Sequence, residues 1–261
     1  MIYSWKKSLT IISAAVAGIV VMFDEVGAQT AKATNSTNAA AHAPGPVLVE
    51  LFTSQGCSSC PPAERLFSEL SKDPNLVSIE WHVDYWDNLV HGGSNWKDPY
   101  SSADNTRRQR AYNGVIRKTR GVYTPQAVVG GMYETTGFDE NGIHHSADLV
   151  MRAPNTVSLK VDMRDGEIIA RLDGEGEARV QVVTLLETQS TRVLGGENKG
   201  RLLKGRHIGL AAMDAGYWEG GEAEFSAAAP GKGETCAVIV QEGSEQFPGQ
   251  VLAAQYCPKA L

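Results

Sequence analysis

The sequence predicts an α/β domain over residues 47–152, followed by a small all-β, sandwich-like domain over residues 155–261. Two observations predict this pairing. An apolar run, an amphipathic segment and a second apolar run open the first part as β-α-β. Past residue 155 the texture changes to short alternating segments broken by glycine-rich turns. A third observation, a lysine-flanked apolar stretch near the N-terminus, predicts that the chain is exported.

That leader occupies residues 1–28. Lys6 and Lys7 form its basic start, and residues 8–23 its apolar body. Val26-Gly27-Ala28 and Ala31-Lys32-Ala33 both suit a cleaving peptidase. As a helix the apolar body would span about 24 Å, short of a bilayer core of roughly 30 Å. A cleaved signal peptide is therefore favoured over an anchor. Either way the remainder reaches the periplasm or the exterior, where disulfides persist. Stable membrane insertion is expected only if the signal stays uncleaved. Residues 29–46, rich in Ala, Thr and Asn and ending in Pro44-Gly45-Pro46, read as a disordered linker.

The first domain opens on residues 47–52, an apolar run suited to a buried parallel strand. A helix over residues 63–71 places Leu66, Phe67 and Leu70 on one face and stops at Asp73-Pro74-Asn75. Residues 76–83 form the second strand, with a right-handed crossover as the default. A polar and aromatic stretch, 84–99, precedes a helix over residues 101–118. Arg107, Arg108, Arg110, Arg117, Lys118 and the neighbouring Arg120 read as a solvated basic face. Residues 122–129 form a third strand, turned by Gly130-Gly131. In the second domain, residues 157–163, 168–172, 178–186, 236–241 and 251–256 are the expected strands, with a tight turn at Asp165-Gly166.

A net charge of −6 argues against a nucleic-acid partner. Hydrophobic content of 42% and charged content of 21% are ordinary for a chain that buries a core. The four cysteines fall into two pairs, Cys57/Cys60 and Cys236/Cys257. The second pair flanks an expected hairpin centred near residues 246–247 with arms of equal length, which predicts a structural disulfide.

The first pair lies in Phe52-Thr53-Ser54-Gln55-Gly56-Cys57-Ser58-Ser59-Cys60-Pro61-Pro62, a C-x-x-C between a buried strand and a helix. Thiolate is the reactive species in disulfide exchange, and a helix N-terminus stabilises it. Cys57 is expected at the exposed end as nucleophile, with Cys60 a turn deeper as the resolving thiol. Two other readings stay open. The pair could be an inert staple in a non-enzymatic binding protein, or it could serve a metal chaperone, holding a metal such as copper with His82 or His91 as a third ligand. The β-α-β setting favours redox exchange.

These residues resemble the thioredoxin superfamily. The strand 47–52 with Cys57-x-x-Cys60 is similar to its first strand and active-site turn, and Thr124-Pro125 to its cis-proline loop. The resemblance implies a cis Pro125 packed against the cysteines and helping to hold an extended substrate chain. It also places Glu50 near the buried acid that relays protons to the resolving cysteine. More closely, the cysteine segment with Ala63, His82-Val83-Asp84-Tyr85-Trp86-Asp87, Trp96-Lys97-Asp98-Pro99 and Tyr123-Thr124-Pro125-Gln126 resembles an exported thioredoxin-like family known chiefly as a domain of unknown function. That likeness covers about residues 46–150, and more weakly Gly195-Gly196-Glu197-Asn198-Lys199-Gly200-Arg201. The chain departs from ordinary thioredoxins in having Gly56 before Cys57 and Pro61-Pro62 after Cys60. A Pro-Pro pair disfavours helical geometry at Pro61, so a late helix start is expected.

The remaining candidates carry less. Trp81, Tyr85, Trp86, Trp96 and Tyr100 either line a substrate groove or pack a long loop. His144-His145 reads as exposed. The expectation is an exported thiol–disulfide oxidoreductase acting on other exported proteins' cysteines, with Cys57, Cys60, Pro125 and Glu50 at its site. No cofactor is expected beyond the redox-active disulfide, except in the metal reading.

Overall fold

The computed structural model of the chain describes residues 45–89 and 94–259. The leader, nearly all of the linker and His91 lie outside the described residues. Strand β1 (Val47–Thr53) and strand β2 (Leu76–His82) are parallel, with Val47 opposite Leu76 and Thr53 opposite His82. Every residue of both strands is buried, as expected where both faces of a sheet are covered.

Helix α1 (Pro61–Leu70) crosses between them. It begins at Pro61, earlier than the Pro-Pro pair suggests. The prolines occupy the first helical positions, where the missing N–H has no partner to lose and the fixed φ suits the helix. Ala63, Glu64, Phe67 and Leu70 form its buried stripe, and three of them pack on Val47, Val49 and Leu51. Glu64 is the polar member of that stripe.

Helix α2 (Ala103–Tyr112) is capped by Ser102, whose side chain accepts from the Asn105 amide. It loosens into a π-helical turn, Asn113–Arg117. Strand β3 (Gln126–Val129) runs antiparallel to β1 and to β4 (Tyr133–Thr136). It is shorter than the expected 122–129, beginning just after the cis Thr124–Pro125 bond. Helix α3 (Glu140–Arg152) follows, capped by Asp139.

Beyond residue 155 come β5 (Ser158–Arg164), β6 (Glu167–Asp173), β7 (Ala178–Arg192), β8 (Leu202–Trp218), β9 (Ala223–Ala228), β10 (Glu234–Gly243) and β11 (Pro248–Tyr256). Four of them extend the first sheet, whose order is β11-β10-β7-β8-β2-β1-β3-β4. The seam is parallel, with Glu80 of β2 beside Ile208 of β8. The sheet therefore crosses the expected boundary near residue 155. The packing gives the reason: Leu48, Phe52, Ile79 and Trp81 share one core with Val183, Leu185, Ile239 and Val251. Neither side could bury those faces alone.

The sheet also curls. Val251 of β11 donates to Gly130, and the Ser78 amide of β2 donates to the Tyr256 hydroxyl of β11. A three-stranded sheet, β5-β6-β9, covers the other face of the distal strands. Val161, Ile168 and Leu172 meet Val180, Val182, Trp218 and Val238 there, so a sandwich-like layer exists within the larger sheet.

Candidate functional site

Cys57 and Cys60 form a disulfide with Cα atoms 5.5 Å apart, immediately before the first turn of α1. The Cys60 carbonyl accepts from the Ala63 and Glu64 amides at 2.9 and 3.1 Å, which ties the pair to the helix end. Cys57 Sγ lies 3.2 Å from the Ser59 hydroxyl and 3.9 Å from the Thr124 carbonyl, next to cis Pro125. Gly137 seats that proline. A Cβ there would lie 2.9 Å from Pro125 Cβ and 2.5 Å from Leu51 Cδ1.

Cys57 is only 1% exposed, not at an open end as the sequence suggests. The cover comes from the far part of the chain, residues 193–201, which form the tip of the β7–β8 hairpin. Asn198, fully buried, donates from Nδ2 to the carbonyls of Gln55 (3.0 Å) and Cys57 (2.8 Å). Glu197 accepts from the Ser58 amide at 2.8 Å. Arg201 donates to Asn198 Oδ1 at 2.6 Å and fixes the amide's orientation. The tip approaches so closely that a Cβ on Gly195 would lie 2.0 Å from the Asn95 carbonyl. Trp96 donates to Gln55 Oε1 and Trp86 to the Thr124 hydroxyl, so two of the aromatic residues frame the cysteine loop.

Beneath the loop, on the α1 side of the sheet, lies a buried ionisable group. Alternation places Ser78, Glu80 and His82 on this face and Val77, Ile79 and Trp81 on the other. His82 Nδ1 is 2.7 Å from Asp98 Oδ2, and the same oxygen accepts from the Gln55 amide at 2.8 Å. Asp98 thus joins His82 to the cysteine loop. Glu64 accepts from the Thr53 hydroxyl at 2.8 Å. His82 Nε2 and Glu80 Oε2 are buried without a hydrogen-bond partner among the described residues.

The electrostatics follow from burial and proximity. Burial raises Glu64, against the pull of His82 and the Thr53 bond. Burial, with Glu64 adding to it, raises Glu80 well above the usual carboxylate range. Burial alone would depress His82, but Asp98 outweighs it, with Glu64 and Glu80 behind, and holds the imidazole at about 9. Burial would raise Asp98, and the adjacent His82 reverses that, leaving it low.

Glu50 lies elsewhere. It shares its face with Leu48 and Phe52, opposite α1, and accepts from Trp81 Nε1 (2.7 Å), Arg108 Nε (2.6 Å) and the Tyr112 hydroxyl (2.6 Å). A relay from Glu50 to Cys60 is therefore corrected: its oxygens are committed across the sheet. Glu64, one helical turn past Cys60, is the buried acid on the cysteine side. The i, i+4 spacing was visible in the sequence, but the inward aim of a glutamate was not. Arg108 also departs from the expected solvated face, since Glu50 draws it inward.

His82 is held by Asp98, and both cysteines of the first pair are disulfide-bonded. Among the described residues no group of three His, Cys, Asp or Glu side chains is arranged around a metal position. His144 and His145 are exposed on α3. Cys236 and Cys257 form the second disulfide, joining β10 to the end of β11 inside the apolar core.

Known proteins add the following. A crystal structure of protein AGR_C_4864 from Agrobacterium tumefaciens is 29% identical, with a TM-score of 0.72, covering 82% of this chain and 94% of that one. HBP35 of Porphyromonas gingivalis aligns with 82% of this chain and 74% of its own at 13% identity and a TM-score of 0.49. No curated protein matches the chain. A family model described as "Protein of unknown function (DUF1223)" matches residues 48–241, a span that takes in both the cysteine loop and the hairpin tip that covers it. The chain belongs to that family.

Proposed function

We propose that this protein is an exported thiol–disulfide oxidoreductase, with a thioredoxin-like arrangement over residues 47–152 and its β strands supplying a cover for the site. One observation carries the reading. The Cys57–Cys60 disulfide lies at the start of α1, beside cis Pro125 and at the C-terminal ends of parallel β1 and β2. Ligand crevices of open α/β sheets form at such strand ends.

The exchange runs from the oxidised state. A partner's thiolate attacks Cys57 Sγ, the Cys57–Cys60 bond breaks, and Cys60 leaves as a thiolate. A second partner thiolate attacks the partner sulfur of the mixed disulfide, and Cys57 leaves. The partner loses two electrons and gains a disulfide; Cys57 and Cys60 gain those electrons and two protons. The same steps in reverse reduce a partner. Glu64, on α1 one turn past Cys60, is suited to holding the proton for Cys60, and His82 with Asp98 offsets the charge that remains. No further cofactor enters the balance. Because Cys57 is covered, the partner's approach displaces the 193–201 tip. The partners are cysteines of other proteins in the periplasm or outside the cell, a setting compatible with two disulfides in one chain.

A trapping experiment tests this reading. The Cys60→Ser variant, reduced and then offered a peptide disulfide, should accumulate a mixed disulfide at Cys57, detected by mass spectrometry. Absence of that adduct while the Cys57 thiol remains alkylatable would sink the proposal.

A further inference from the structure

On the opposite face of β2 from the disulfide, a groove of about 810 Å³ opens between α2, β8 and the β10–β11 turn. Small-molecule sites fall within roughly 300–1,000 Å³. Its buried lining includes Trp81 and Gln241, 2% and 4% exposed.

Its chemistry is mixed. Five arginines line it against three acids, in a chain whose net charge is −6. Asp104 and Glu245 already pair with Arg107 and Arg179, leaving Glu242 as the remaining acid. Among the described residues no carboxylate pairs with Arg110 or Arg120. Arg108 is held in place before any ligand arrives. Its Nε donates to Glu50, its Nη2 to Tyr112 and Gln241, and its guanidinium lies 5.7 Å from the Trp81 ring. Its Nη1 makes no hydrogen bond among the described residues. A preorganised guanidinium loses little freedom on binding an anion.

Apolar surface continues from this cationic end. Leu210 and Phe247, 37% and 74% exposed, stand on the groove beside Pro248. The α2 wall ends in the π-helical turn, a distortion frequent at functional sites, and Gly114 within it leaves open space where a side chain would project.

We propose that this groove binds a single-headed amphipathic anion, its carboxylate or phosphate meeting Arg108, Arg110 and Arg120 and its apolar body lying toward Leu210 and Phe247. The site uses none of the disulfide's residues and stands or falls independently of the redox reading.

Calorimetric titration of the full chain, both disulfides intact, with decanoate, decyl phosphate and decanol below their aggregation limits tests it. Saturable one-to-one binding of at least one anion is expected, and the tighter of the two identifies the headgroup. Decanol should bind about tenfold more weakly, and Arg110→Ala/Arg120→Ala should lose about tenfold in affinity for the anion. Gly114→Phe, which leaves every charge in place, should abolish binding by filling the groove. No saturable binding of either anion, equal binding of decanol, or unchanged affinity in both variants of verified fold would each overturn the proposal.

Discussion

The two disulfides are equally hidden, yet they sit in opposite surroundings. Cys57 and Cys60 are 1% and 0% exposed; Cys236 and Cys257 are 0% and 6%. The second pair is enclosed by Val157, Val161, Trp218 and Val238, on strands that cannot separate without dismantling the sheet. The first is covered by a hairpin tip held through a few polar bonds and underlain by Glu64, Glu80, His82 and Asp98. If the proposed exchange at Cys57–Cys60 holds, burial of sulfur does not separate a staple from a reactive pair. What separates them is whether the cover can leave, and whether charge and protons can be managed beneath it.

The largest expected effects concern stability. Replacing Cys236 and Cys257 with alanine opens a link across 21 residues and should cost about 3 kcal/mol, while the same change at Cys57 and Cys60, three residues apart, should cost about 2 kcal/mol. Urea unfolding of the two variants makes the comparison. A larger loss at Cys57/Cys60 would make that pair the principal staple.

The buried charges should give the first site a pH signature. The folded-state pKa of His82 is raised from 6.5 to about 9, so its contribution is full below pH 6.5 and lost as pH rises toward 9. The raised Glu64 and Glu80 act in the same direction above about pH 4.5, whereas the lowered Asp98 contributes above 3.8 and loses its contribution in acid. Stability should therefore decline by about 3 kcal/mol between pH 6.5 and 9 on account of His82. In His82→Gln the urea midpoint should vary much less over that window. An unchanged slope would remove His82 as its source.

A smaller effect isolates the cover. Asn198→Ala leaves the Gln55 and Cys57 carbonyls without their donor and should weaken the tip by about 1–2 kcal/mol. Reduction of Cys57–Cys60 by a small phosphine, followed by alkylation, should accelerate about tenfold, with Cys236–Cys257 unaffected. Equal acceleration of both disulfides would signal general loosening rather than release of a lid.

Local parts of this design were legible in the sequence. The strand–Cys-x-x-Cys–helix order follows from hydrophobic periodicity and turn chemistry. The Cys236–Cys257 pairing follows from equal arms about a turn, and the structure turns the chain between Gly243 and Pro248. The parts that required long-range pairing were hidden. Alternation puts Glu50 with Leu48 and Phe52, but nothing local says which face α1 covers. His82 and Asp98 are 16 residues apart, and Asn198 reaches Cys57 across 141. β7, 15 residues long, runs past the apolar alternation that signals a strand because its tip-side half is largely solvent-facing, and β8, 17 residues long and exposed over 210–214, is not among the expected strands. Both strands meet at the tip that covers the disulfide, so the sheet's continuation and the site's closure escape sequence reading together.

The contrast between the two disulfides reduces to two potentials, and peptide-resolved mass spectrometry can read both in one titration of the intact chain across thiol–disulfide buffers. A Cys57–Cys60 midpoint between about −120 and −270 mV and a Cys236–Cys257 midpoint below about −300 mV are expected. A Cys57–Cys60 midpoint that also falls below about −300 mV would make both pairs staples and contradict the oxidoreductase reading.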